Sequence, residues 1–84
     1  MWILNKQRTM LINTDKIMTV WLDSKTCSIK CRCSTDASDI VTLGGYNNAF
    51  DAKSVFNLVL NAISSEKTTI LEMPVVIDFG KEDT

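Results

Sequence analysis

The chain has 84 residues, 45% of them hydrophobic and 23% charged, with nine Lys/Arg against ten Asp/Glu and a net charge of −1. This is the composition of one small soluble globular domain, burying roughly 63% of its extended surface around a single modest core. Histidine is absent, which removes His-based acid–base catalysis, Ser–His and Cys–His nucleophile pairs and most zinc sites.

The basic residues are scattered singly from Lys6 to Lys81. Phosphate neutralisation needs them clustered, so a nucleic-acid partner is not expected. "MWILNKQRTM" (1–10) is not a secretory leader, because its apolar run is only Trp2 to Leu4 and charges follow it. The most apolar window, "VFNLVL" (55–60), is far short of the roughly 20 residues of a membrane span. A cytoplasmic location with reduced thiols is the expectation.

Elements can be read in chain order. "WIL" (2–4) and "TMLIN" (9–13) flank a polar turn at 5–8 and predict a hairpin. Asn13, Thr14 and Asp15 break the chain. "KIMTVWLD" (16–23) predicts a strand with Met18, Val20 and Leu22 on one face and Ile17, Thr19 and Trp21 on the other. "CSIKCRC" (27–33) alternates strictly, with Cys27, Ile29, Cys31 and Cys33 on one face and Ser28, Lys30 and Arg32 opposite. "DIVTLGGY" (39–46) predicts a further strand. Short links between these strands imply an antiparallel meander.

After Tyr46 the period changes. Ala52, Val55, Phe56, Val59 and Ile63 recur at helical spacing, widened by Leu60 and Ala62. Asn48 is placed to cap a helix over 49–64, with Asp51 in its first turn. "TTILEM" (68–73) predicts a last short strand before Pro74. "VVIDF" (75–79) is an apolar run with no place in so small a core, followed by a polar tail. The expected fold is α+β: an antiparallel sheet of about five strands with one C-terminal amphipathic helix packed on it, plus a short terminal strand. The expected organisation is a single domain over 1–74 with a C-terminal extension over 75–84.

Candidate chemistry is sparse. The chain offers three thiols, no His and no second Cys pair, short of the four ligands of a structural zinc site or of most iron–sulfur clusters. Cysteine is a small, often buried hydrophobe, so the three read as the apolar face of one strand, and no metal is assigned. Asp36, Asp39 and Asp51 fall in or near turns, where Asp is a default residue. No Ser has an obvious base. Neither an enzymatic activity nor a cofactor is expected.

Two readings lead, and a thiol–metal module, its fourth ligand from Asp36 or a second subunit, ranks last. In the first, large apolar residues that the core does not need, Trp2, Trp21, Phe50 and the run Val75 to Phe79, mark a protein-binding surface, with Trp2, Trp21, Val75, Ile77 and Phe79 its contact residues. A core larger than the one drawn would absorb the same residues. In the second, "LGGYNN" (43–48) presents a glycine pair between a strand and a helix N-terminus, so Gly44, Gly45, Tyr46, Asn47 and Asn48 could hold a phosphate or nucleotide. A tight turn accounts for the same glycines, and no specific phosphate-loop motif is present.

The stretches "MWILN" (1–5), "INTDKI" (12–17), "LGGY" (43–46), "DAKSVFNLVLNAI" (51–63) and "EMP" (72–74) together resemble a group of short proteins of Gram-positive bacteria, their phages and mobile elements. Relatives in that group start Met-Trp-Ile, carry Leu-Gly-x-Tyr before a helix, and stop soon after Met-Pro. The "VVIDFGKEDT" extension departs from that pattern. The resemblance implies a strand-rich sheet followed by one helix, in a phage or prophage setting, and carries over no catalytic residues. Small phage proteins without an active site often act by binding: some inhibit host defence proteins, including CRISPR effectors, and others sequester nucleotide signals as oligomers. The leading expectation is therefore a non-enzymatic inhibitor that binds a host protein and forms a homo-oligomer. The alternative is an oligomeric nucleotide-sequestering protein.

Overall fold

The computed structural model describes residues 1–35, 39–65, 67 and 69–75. It is a small α+β fold: β1 (Trp2–Leu4), β2 (Leu11–Asn13), β3 (Thr19–Asp23), β4 (Ser28–Arg32), β5 (Ile40–Gly45), α1 (Ala49–Ser64) and β6 (Ile70–Glu72). The strands do not form one meander. They form two three-stranded sheets, β2-β1-β6 and β3-β4-β5.

The split begins at the polar break after β2. Residues Thr14–Lys16 make one turn of 3-10 helix, capped by the Asn13 side chain accepting from the Asp15 N–H at 3.0 Å. That turn carries the chain away from β2, so β3 pairs with β4 alone on one side. The terminal strand then returns to the first. β6 lies parallel to β1, with Trp2 opposite Ile70 and Ile3 opposite Leu71. β1 and β2 are antiparallel, with Ile3 opposite Ile12 and Leu4 opposite Leu11.

The hairpin turn between β1 and β2 is organised by Asn5, a buried polar residue. Its Oδ1 accepts from the N–H groups of Thr9 and Met10, both at 2.9 Å, and its Nδ2 donates to Thr9 Oγ1 at 3.1 Å. A buried amide is tolerated because its groups are paired. Arg8 takes a left-handed conformation (φ 62°) to close the turn.

The second sheet follows the predicted meander. Trp21 faces Lys30 across β3 and β4, and Leu22 faces Ile29. The register between β4 and β5 shifts between Ile29 and Lys30, which pair with Gly44 and Thr42. Leu43 is the extra residue of that bulge and is fully buried. Cys27 lies before β4 in a left-handed conformation (φ 52°), so it belongs to the turn instead of the strand.

α1 forms as its periodicity predicts. Asn48 accepts from the Asp51 N–H at 2.8 Å, filling one of the orphan donors of the first turn. Ala52, Val55, Val59 and Ala62 are buried, and the helix lies against β3 and β4. The buried stripe is narrower than expected: Ile63 and Leu60 stay exposed and Phe56 is only partly covered. Met18, expected to share a strand face with Val20 and Leu22, is 60% exposed just before β3 begins.

One core serves both sheets. It joins Ile3 and Ile12 to Ile29, Cys31, Leu43, Tyr46, the helix residues and Met73. Hydrogen bonds tie the sheets together at their edge, among them a pair that closes the gap between the β1–β2 turn, β5 and the chain after β6. The Lys6 N–H donates to the Leu43 carbonyl at 2.8 Å, and the Tyr46 hydroxyl donates to the Pro74 carbonyl at 2.9 Å. Among the described residues no helix is long and apolar enough to cross a membrane.

Candidate functional site

Each sheet has one face on the core and one facing outward, and the two outward faces differ. In β1 only Ile3 points inward, so Trp2 and Leu4 share the other face. Register places Leu11 beside Leu4 and Ile70 beside Trp2 on that same face. Trp2 is 43% exposed, Leu11 49% and Ile70 54%. The face also carries Asn13 and Glu72. It is a continuous apolar patch with a polar border and carries an uncovered tryptophan, whereas Phe50, 68% exposed at the start of α1, lies outside it.

The outer face of β3-β4-β5 is mainly polar, with Ile40, opposite Arg32, its exposed aliphatic residue. Lys30 Nζ pairs with Asp23 Oδ2 at 2.9 Å, and the Arg32 guanidinium lies over the Trp21 ring at 5.6 Å. The hydrogen bond from Lys30 holds the Asp23 carboxyl below its ordinary pKa. Trp21 is half-buried beneath these charges. Both Trp residues named from the sequence thus lie on outward faces, but only Trp2 is left open.

Val75 is half-exposed and borders a cavity of about 380 Å³ between the β1–β2 turn and β5. Ile77 and Phe79 lie outside the described residues, as does Asp36. Of the residues proposed as a nucleotide-holding junction, Gly44 and Gly45 line that cavity together with Lys6, Gln7, Thr42 and Leu43. A Cβ on Gly44 would come within 3.0 Å of Tyr46 Oη and 3.2 Å of Lys6 Cβ, so glycine is needed there for close packing of those side chains. Tyr46 is a core residue. Burial pushes its hydroxyl pKa up to about 12, partly opposed by Arg8. Asn48 is engaged as the helix cap, and its Nδ2 also reaches Asp51 Oδ2 at 3.2 Å. With an acid in the first turn and its amide already bonded, this helix start does not present an anion site.

The cysteines are packing residues. Cys31 is fully buried, and Cys27 and Cys33 pack against the same core. Burial, reinforced by Cys33, pushes the Cys31 thiol up to about 12. Such a thiol stays protonated and unreactive at neutral pH. Among the described residues no three of His, Cys, Asp and Glu are grouped to hold a metal ion.

Sequence reasoning missed Leu11, Ile70 and Lys6. For Leu11 and Ile70 a signal existed: "LIN" (11–13) and "ILE" (70–72) place apolar residues on both faces of a strand. Lys6 gave none, because its partner Gly45 on β5 lies 39 residues away. Comparison of the chain with protein-family models, curated proteins and solved structures found no match.

Proposed function

We propose that this chain is a small non-enzymatic binding protein that acts by protein–protein contact through the outer face of β2-β1-β6. The observation that carries this reading is the uncovered row of Trp2, Leu11 and Ile70. A small fold gains nothing in stability by leaving a tryptophan and two aliphatic side chains in water. Burying them against a partner returns roughly 25 cal/mol for each Å² removed from solvent. In the phage setting implied by the sequence resemblance, the partner is a host protein and the effect is inhibition of a defence function. A second copy of the chain can use the same face.

The experiment is site-specific photo-crosslinking in the host cell. A photoreactive residue at position 11 should give a discrete crosslinked product, and one at position 53 on the exposed side of α1 should not. No product at position 11, or the same products at both positions, overturns the reading. The mass of the product separates a second copy from a host protein.

A further inference from the structure

The cavity beside β5 has the chemistry of a binding site in its own right, independent of the apolar face. Its walls come from three places: Lys6 and Gln7 in the β1–β2 turn, Thr42 to Gly45 on β5, and Val75 after β6. These walls are bonded to one another. Lys6 N–H reaches the Leu43 carbonyl at 2.8 Å, Tyr46 Oη reaches the Pro74 carbonyl at 2.9 Å, and Arg8 Nη1 reaches the Met73 carbonyl at 3.0 Å. The cavity is therefore held open by the fold, and its volume of about 380 Å³ falls in the range of small-molecule sites.

Lys6 supplies the charge. Its ammonium donates to the Gly45 carbonyl and lies 4.5 Å from the centre of the Tyr46 ring. Those two contacts fix the position of Nζ without neutralising it, and no carboxylate pairs with it among the described residues. An ammonium has three donors, so two remain for a ligand. Leu43 and Val75 give the cavity an apolar side, and Thr42 and Gln7 give it further hydrogen-bonding groups.

We infer that this cavity binds a small organic anion, with its carboxylate or phosphate group on Lys6 Nζ and an apolar body against Leu43 and Val75. Gly44 contributes by letting Lys6 lie close against β5. Neither the helix start nor Asn47 and Asn48 take part.

The test is an amide-resolved NMR titration of the full chain with phenyl phosphate and, separately, benzoate. Inorganic phosphate and neutral benzyl alcohol serve as comparisons. Saturable shifts are expected at Lys6, Thr42, Gly44, Gly45 and Val75 with at least one aromatic anion, and whichever anion binds tighter identifies the head group. Lys6→Met should weaken that binding roughly tenfold or more, whereas Lys53→Met leaves it unchanged. Should Lys6→Met fail to fold, Thr42→Glu places a like charge at an exposed wall position and should abolish binding. The inference is overturned if neither anion saturates, if benzyl alcohol titrates the same amides equally well, or if folded Lys6 and Thr42 variants bind as the wild type does.

Discussion

The two small sheets share one core and treat their other faces in opposite ways. On β3-β4-β5 two pairs of outward side chains meet: Asp23 bonds Lys30, and Arg32 lies over Trp21, although its Nε is buried without a hydrogen-bond partner among the described residues. On β2-β1-β6 the outward side chains are Trp2, Leu4, Leu11 and Ile70, with nothing among the described residues laid over them. A tryptophan on an outward strand face is therefore no sign of an interface by itself. What separates Trp2 from Trp21 is the chemistry of its cross-strand neighbours. Trp2 has Asn13 opposite it on β2, but Ile70 on its other side and Leu11 diagonal to it keep an apolar surface, whereas Lys30 and Arg32 flank Trp21 and Arg32 lies over its ring.

The sharpest way to break the comparison is within β1. Ile3 is fully buried and Trp2, its neighbour, is not. Ile3→Ala should cost about 2–5 kcal/mol in a denaturant melt, as core truncations do. Trp2→Ser should cost far less stability while removing partner binding. Equal losses of stability would mean that the outer face is structural.

The shared core can be tested through pH. Cys31 and Tyr46 both have pKa values raised to about 12, from 9.0 and 10.0, chiefly by burial. The neutral forms are favoured by the fold, so their contribution is fully present below the unfolded values and is lost as pH rises from about 9 towards 12. Each unit of pH in that window removes about 1.4 kcal/mol per titrating group at most. Both sheets should melt together there, by far-UV circular dichroism. Cys31→Ala should remove the onset near pH 9 and leave the Tyr46 part.

Next in size is Asn5, which holds the turn of one sheet only. Asn5→Ala leaves the amides of Thr9 and Met10 without their acceptor, a loss of about 1–3 kcal/mol. Hydrogen exchange should accelerate at β1 and β2 well before β4 and β5. Uniform acceleration would show that the two sheets cannot open separately. The smallest effect concerns the covered tryptophan. A double-mutant cycle on Arg32 and Trp21 should return a coupling of about 0.5–1 kcal/mol, as expected for a cation over an aromatic face at a partly exposed site.

Legibility in the sequence followed distance along the chain. The helix over 49–64 and its Asn48 cap were readable because period, cap and first-turn acid are all local. The "SIKCR" alternation was readable for the same reason, and its one cysteine, Cys31, lies in the core. The division into two sheets was not, because it depends on a single 3-10 turn at Thr14–Lys16 and on β6 returning parallel to β1 from 68 residues away in register. The cavity was half-visible: "LGG" marked one wall, but Lys6 reaches it only through tertiary pairing. The expectation that Trp21 anchors an interface rested on its strand face alone and could not include Arg32, which lies diagonal to it across the ladder.

The most direct test of the central claim is the equilibrium affinity of Trp2→Ser and Trp21→Ser for the partner recovered by crosslinking, whether host protein or second copy. The account predicts that Trp2→Ser weakens binding by roughly thirtyfold or more, the loss of about 2 kcal/mol typical of an anchoring residue, while Trp21→Ser stays within a few fold. A larger loss from Trp21→Ser than from Trp2→Ser would place the binding surface on the other sheet and contradict it.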